Sequence, residues 1–199
     1  MASRRLTAGV DTGVLAWGLF VAAGAAALRA VVLPVNQLTQ PGGRVKVYVG
    51  DPVWPDTQGV VDVSPLNGQG TAYLQAHDLP TGVRLLTEAG PALGALAWAL
   101  GLALTALVIR DIGGGSPFGH RVPIRVAGLA VVVLVGGFAS TTLDWLAART
   151  VVDRLEVSQV ASPTYALPLG GVLLAALLLV LAEAFRQGRR MSAELEGLV

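Results

Sequence analysis

Four long apolar runs, rather than short alternating segments, dominate the hydrophobic pattern of this chain. Residues 12–35, 91–110, 124–147 and 167–185 are each apolar almost throughout and close on an arginine, a proline or both. An α-helix of about 20 apolar residues crosses roughly 30 Å of hydrocarbon, so each run predicts one span. The fold class expected is an α-helical integral membrane protein, a four-transmembrane-helix bundle. Between the first two runs the period changes. Val45 to Val49 alternates with period two, Gly59 to Ser64 (GVVDVS) does so again, and Asn67-Gly68 favours a tight turn that returns Thr71 to Ala76 as a hairpin partner. A further short strand or turn is expected at 83–86. Residues 36–90 are too many for a plain connector, so they predict a small β-containing extracytoplasmic domain between helices 1 and 2. Such a domain is too small for a generous core and should lean on the membrane face or on a partner. In the later polar interval, 148–166, the alternation of Leu155 to Val160 suggests one more strand.

Composition agrees with the pattern. Of the 199 residues 53% are hydrophobic and 14% charged, and the mean hydropathy is +0.64, outside the soluble range. A net charge of +1 with dispersed arginines argues against direct nucleic-acid binding, which needs a concentrated basic face. The chain has no cysteine, which removes disulfides, thiolate catalysis and cysteine-ligated metals.

Charge also orients the spans. Arg4, Arg5, Arg110, Arg121, Arg125, Arg186, Arg189 and Arg190 lie in or immediately beside the short segments 1–11, 111–123 and 186–199, whereas Arg44, Lys46, Arg84, Arg149 and Arg154 are diluted among acidic residues in the longer loops. By the positive-inside rule the short segments and both termini are cytoplasmic. The first run is longer than the apolar core of an export signal and is followed by three more, so a retained helix is expected.

Candidate chemistry is sparse. The loop Gly113 to Arg125 (GGGSPFGHRVPIR) lacks the lysine and the preceding strand of a phosphate-binding loop. It reads as a hairpin turn in which glycines and prolines interrupt the helix and arginines meet lipid headgroups. His77, Asp78 and His120 have no second ligand at metal spacing, and no catalytic triad or carboxylate pair can be assembled. No catalytic residue, cofactor or metal follows, and the protein is expected not to be an enzyme. Three ionisable residues lie within or at the ends of the spans: Arg29, Asp144 and Glu183. Arg29 and Asp144 fall at similar depth and are expected to pair or to snorkel, and Glu183 is expected to pair with Arg186 one turn on. Small residues at Ala22 and Ala26, at Gly94, Ala95, Ala99, Gly101 and Ala103, and at Gly128, Gly136 and Gly137 allow close helix packing, within the bundle or in a homo-oligomer.

Two short motifs carry a resemblance. Gly115-Ser116-Pro117-Phe118, and the tail Leu181-Ala182-Glu183-Ala184-Phe185-Arg186-Gln187-Gly188 with its closing Leu195-Glu196-Gly197-Leu198-Val199, resemble the "G-x-P-F" loop and "L-A-E-x-F-x-x-G" tail of a bacterial membrane-protein family, domain of unknown function 2975. The chain departs from that pattern where a polar residue is usual after Pro-Phe, and in ending Gly-Leu-Val rather than Leu-Thr-Val. The resemblance implies four spans with a large first outer loop in a bacterial cell (inner) membrane. Members often neighbour a small helix-turn-helix regulator, which implies a cytoplasmic regulator as partner. On that basis Ser116, Pro117, Phe118, Phe185, Arg186 and Gly188 are the expected partner-binding surface of a non-enzymatic sensor or regulatory module. The alternatives are a small transporter or permeability factor using Arg29, Asp144 and Glu183, and a structural accessory subunit of a membrane complex.

Overall fold

The computed structural model of the protein describes residues 12–39, 45–50, 61–66, 71–76, 79–114, 119–155 and 162–196. Four helices, α1 (Thr12–Thr39), α2 (Thr81–Gly113), α3 (Arg121–Arg154) and α4 (Leu169–Glu196), account for most of it. Strands β1 (Val45–Gly50), β2 (Val61–Leu66) and β3 (Thr71–Ala76) fall between α1 and α2 in sequence. All four helices are long and apolar enough to cross a membrane, the property of a multi-pass membrane protein. The helical form follows from the solvent, since a backbone in hydrocarbon must satisfy its own N–H and C=O groups.

Side-chain size is sorted in the opposite sense to a water-soluble core. The buried positions of α1 are Ala16, Ala23 and Ala30, while Trp17, Val21 and Leu28 are exposed. In α4 Ala175 and Ala182 are buried, and Leu173, Leu177 and Val180 face outward. Lipid tails are as apolar as leucine, so nothing drives the large side chains inward, and close approach of backbones over small residues supplies the packing. A seven-residue repeat of alanine therefore marks the seam of α1. The expected stripe at Ala22 and Ala26 is one step off that seam: Ala22 is exposed and Ala26 only half-buried.

The chain divides into two compact units, one of residues 1–26, 98–134 and 170–199, the other of 27–97 and 135–169. In the first, Val122 and Val126 of α3 and Ala182 of α4 form a buried cluster, with Val108 of α2 and Leu178 and Phe185 of α4 packed against it. Thr12 of α1 lies where a Cβ on Gly113 would stand, so that glycine allows the start of α1 to close on the end of α2.

In the second unit, β3 is the central strand of an antiparallel sheet of order β1-β3-β2, with Val45 and Val61 both opposite Ala76. Pro65 lies within β2, one residue beyond the expected end of that strand at Ser64. An edge strand tolerates the missing N–H, which is why β2 runs through Pro65 instead of stopping at Ser64. The turn expected at Asn67-Gly68 and all but the first residue of the strand expected over Leu155 to Val160 lie outside the described residues. Val45 and Val47 of β1, Ala76, Leu79 and Val83 share one core with Ala148, Val151 and Val152 of α3, and Leu155 packs against it. The described buried side chains of the sheet, Val45, Val47 and Ala76, are seated on a helix face.

Two expectations are corrected here. Residues 83–86 are not a strand or turn but part of α2, which begins at Thr81, with the Pro80 carbonyl accepting from the N–H groups of Val83 and Arg84 at 2.9 and 3.1 Å. Likewise α3 does not end at residue 147 but runs to Arg154, because 148, 151, 152 and 155 recur with helical period and bury apolar side chains under β1. Both extensions are amphipathic rather than uniformly apolar, so a search for lipid-soluble runs passes over them.

α2 and α3 approach each other closely in this unit over small residues. Gly90, Gly94 and Ala97 on one face of α2 meet Asp144, Ser140 and Gly136 on one face of α3, in antiparallel order. Ser140 Oγ donates to the Gly90 carbonyl at 2.9 Å. A Cβ at residue 136 would overlap Ala97, whereas one at Gly24 meets nothing within 4 Å. Gly136→Leu is therefore expected to destabilise the protein by about 1–3 kcal/mol, the usual cost of overpacking. Gly24→Ala should stay within about 0.5 kcal/mol of the parent. Thermal unfolding of both variants in lipid nanodiscs checks the difference.

Candidate functional site

A cleft of 500 Å³ opens in the unit formed by residues 27–97 and 135–169, lined by β1, α2, α3 and the segment that follows α3. Its position follows from the fold of that unit. Seating β1 on the last turns of α3 leaves Lys46 and Val47 beside the α3 face that carries Thr141, Asp144, Trp145 and Ala148, spaced i, i+3, i+4 and i+7. Thr87 and Pro91, one turn apart on α2, Ala147 of α3, and Thr164 and Ala166 complete the lining.

Two hydroxyls of the cleft are left as acceptors. Thr87 Oγ1 donates its proton to the Arg84 carbonyl at 2.8 Å and Thr141 Oγ1 to the Gly137 carbonyl at 2.9 Å, which leaves oxygen lone pairs to face a ligand. Pro91 has no N–H, so the carbonyl of Thr87 lacks the donor that the fourth residue of a helix normally supplies. Asp144 adds a carboxylate, held against Gly90, where a Cβ would collide with it. A side chain at residue 90 would close the space the carboxylate occupies. Lys46 contributes a cation, and neither Lys46 nor Asp144 forms an ion pair among the described residues.

An aromatic cluster borders the cleft. Trp145 meets Tyr165 edge to face at 6.3 Å between ring centroids, the Arg149 guanidinium stands 5.6 Å from the Trp145 ring centroid, and Thr142 Oγ1 lies 3.3 Å from the Tyr165 hydroxyl. Arg149 also approaches Asp153 at 3.8 Å. Half-apolar rings of this kind favour a boundary between hydrocarbon and water. Close by in the same unit, Gln37 of α1 donates to Glu88 Oε1 at 2.9 Å, and Arg84 donates to the Gln37 carbonyl. These bonds tie the last turn of α1 to the first turns of α2.

Of the residues singled out from the sequence, Asp144 lies in this cleft. Arg29 is exposed on α1 and makes no ion pair with Asp144, so the two are not brought together. Glu183 pairs with Arg186 on α4 and also accepts from Gln187 Nε2 at 3.3 Å. Ser116, Pro117 and Phe118 lie outside the described residues. Phe185 packs against the Val122 cluster, which gives it a role in holding α4, and Gly188 is an interior residue of that helix. Arg186 lines a second, shallower cleft of 310 Å³ with His120, Ile124, Leu179, Glu183 and Arg189, within the unit that contains α4.

Sequence reasoning passed over one strong interaction. Arg125 forms an ion pair with Asp111 and donates to the Leu107 carbonyl at 3.0 Å, joining α3 to α2; the two charged side chains are only 19% and 23% exposed. The signal is present in the sequence as opposite charges at nearly mirrored positions about the stretch Gly113 to His120, but Arg125 alone reads as one of the headgroup arginines. A pair this sheltered is worth more than a surface salt bridge. Arg125→Ala is expected to lower stability by about 2 kcal/mol, between the values for exposed and buried pairs. Combining it with Asp111→Asn should cost less than the two single losses added together. A double-mutant cycle on unfolding in mild detergent measures the coupling.

No family model, no curated protein and no solved structure matches the chain.

Proposed function

We propose that the protein is a non-enzymatic sensor or regulatory module of the bacterial inner membrane, with both termini cytoplasmic and the sheet on the outer side. The observation that carries this reading is the cleft between β1, α2 and α3, which offers fixed polar groups beside apolar walls, the usual make-up of a small-molecule site. The orientation rests on the arginines of the short segments, including Arg110, Arg121, Arg186 and Arg189, which meet the cytoplasmic leaflet when those segments are inside. With that orientation the strands between α1 and α2 form a small extracytoplasmic β element, and the cleft faces outward.

The partner proposed on the inner side is a helix-turn-helix regulator, as the resemblance to the domain of unknown function 2975 family implies. Its contacts would be the 116–118 loop and the exposed residues of the α4 tail, Arg186 among them, with Phe185 supporting the tail from beneath. The transporter reading has less behind it: among the described residues no polar or charged side chain is buried, and a translocation path needs such groups between the helices.

A regulatory protein should alter transcript levels through its cytoplasmic tail. In the native host, deletion of the gene is expected to change a defined set of transcripts that the full chain restores. A variant lacking residues 186–199, present in the membrane at an equal level, should not restore them. Full restoration by the truncated variant would overturn the regulatory reading.

A further inference from the structure

The chemistry of the cleft is specific enough to name a ligand class. Thr87 and Thr141 each commit a hydroxyl proton to their own helix, and Pro91 withholds the N–H that the Thr87 carbonyl would otherwise accept from. Two hydroxyl oxygens with lone pairs to offer, those of Thr87 and Thr141, and the Asp144 carboxylate therefore belong to residues that line one cavity, an arrangement suited to an N–H-bearing cation. Lys46 of β1 lines the same cavity with the opposite charge. A plain cation would be repelled by Lys46 and a plain anion by Asp144. A molecule that carries both charges meets both partners.

We propose that the cleft binds a zwitterion in which a primary ammonium and an anionic oxygen group are a few bonds apart, the ammonium on the Asp144 side and the anion on Lys46. The apolar part of the ligand lies against Pro91 and Trp145. Two sources share this chemistry, a free amino acid and the headgroup of phosphatidylethanolamine. The inference deepens the sensor reading and rests on it for its biological meaning, but it is read by binding, so either can fail without the other.

The test uses the full chain in phosphatidylglycerol nanodiscs, with α-amino acids as the soluble probe and native mass spectrometry of mixed-lipid discs for the headgroup. If the ligand is a free amino acid, the probe raises the unfolding temperature by several degrees, and the corresponding amines and N-acetylated acids do not. If it is the headgroup, phosphatidylethanolamine is retained at least tenfold over phosphatidylglycerol. In either arm Asp144→Asn and Lys46→Gln, made separately, each reduce the effect at least tenfold in apparent affinity. Lys46 is exposed on an edge strand, so its variant folds even if the Asp144 variant does not. Absence of binding in both arms, or binding indifferent to Lys46→Gln, overturns the proposal.

Discussion

The requirement that every backbone polar group find its partner inside a medium without water governs this molecule. It makes the four apolar runs helices, and it makes departures from helix conspicuous. Pro91 is one such departure, and it stands in the wall of the main cleft. Pro34 is another, near the end of α1, in the turn that Gln37 ties to α2 through Glu88 and Arg84. In a bilayer a proline inside a helix is tolerated where neighbours compensate for the freed carbonyl, and both prolines lie where polar side chains gather.

The second consequence concerns size. Since large apolar side chains gain little by leaving lipid, the helix interior holds alanine and valine rather than leucine or tryptophan, and where glycines meet a facing helix the spacing is set by Cβ atoms. The face of α2 at Gly90, Gly94 and Ala97 against the face of α3 at Gly136, Ser140 and Asp144 is the clearest case. These small residues are already occupied within one chain, so they do not call for a homo-oligomer. Their closeness also places Asp144: the carboxylate takes the volume that a side chain at residue 90 would fill. Tight packing and the polar site are in this sense one feature.

The sequence made the number of helices legible, because an apolar run of membrane length has few other meanings. Strands β1 and β3 were legible from alternation and from the Asn67-Gly68 pair. What escaped was amphipathic helix at the ends of spans. Thr81 to Gly90 carries Arg84 and Glu88 and buries Val83, and Ala148 to Arg154 carries Arg149, Asp153 and Arg154 and buries Ala148, Val151 and Val152, so hydropathy averages both stretches away although they are helical. The site was legible only in part. Asp144 stood out as a charge near the end of a run, but Lys46 joins it only through the seating of β1 on α3, and Thr87 and Pro91 through the packing of α2 on α3, long-range contacts with no local signature. The pairing of Arg125 with Asp111 was missed because each residue alone reads as an interfacial charge.

Every packing relation above requires that the outward face of the helices lie in lipid. The natural absence of cysteine allows single nitroxide labels at Val21, Trp98, Val135 and Leu177, all exposed and apolar, and at Lys46 as a reference outside the spans. Power-saturation electron paramagnetic resonance in liposomes then compares collision with oxygen, which concentrates in hydrocarbon, and with a water-soluble nickel complex. The account predicts oxygen-rich, nickel-poor labels at the four helix positions and the reverse at Lys46; nickel accessibility at those four positions equal to that at Lys46 would contradict it.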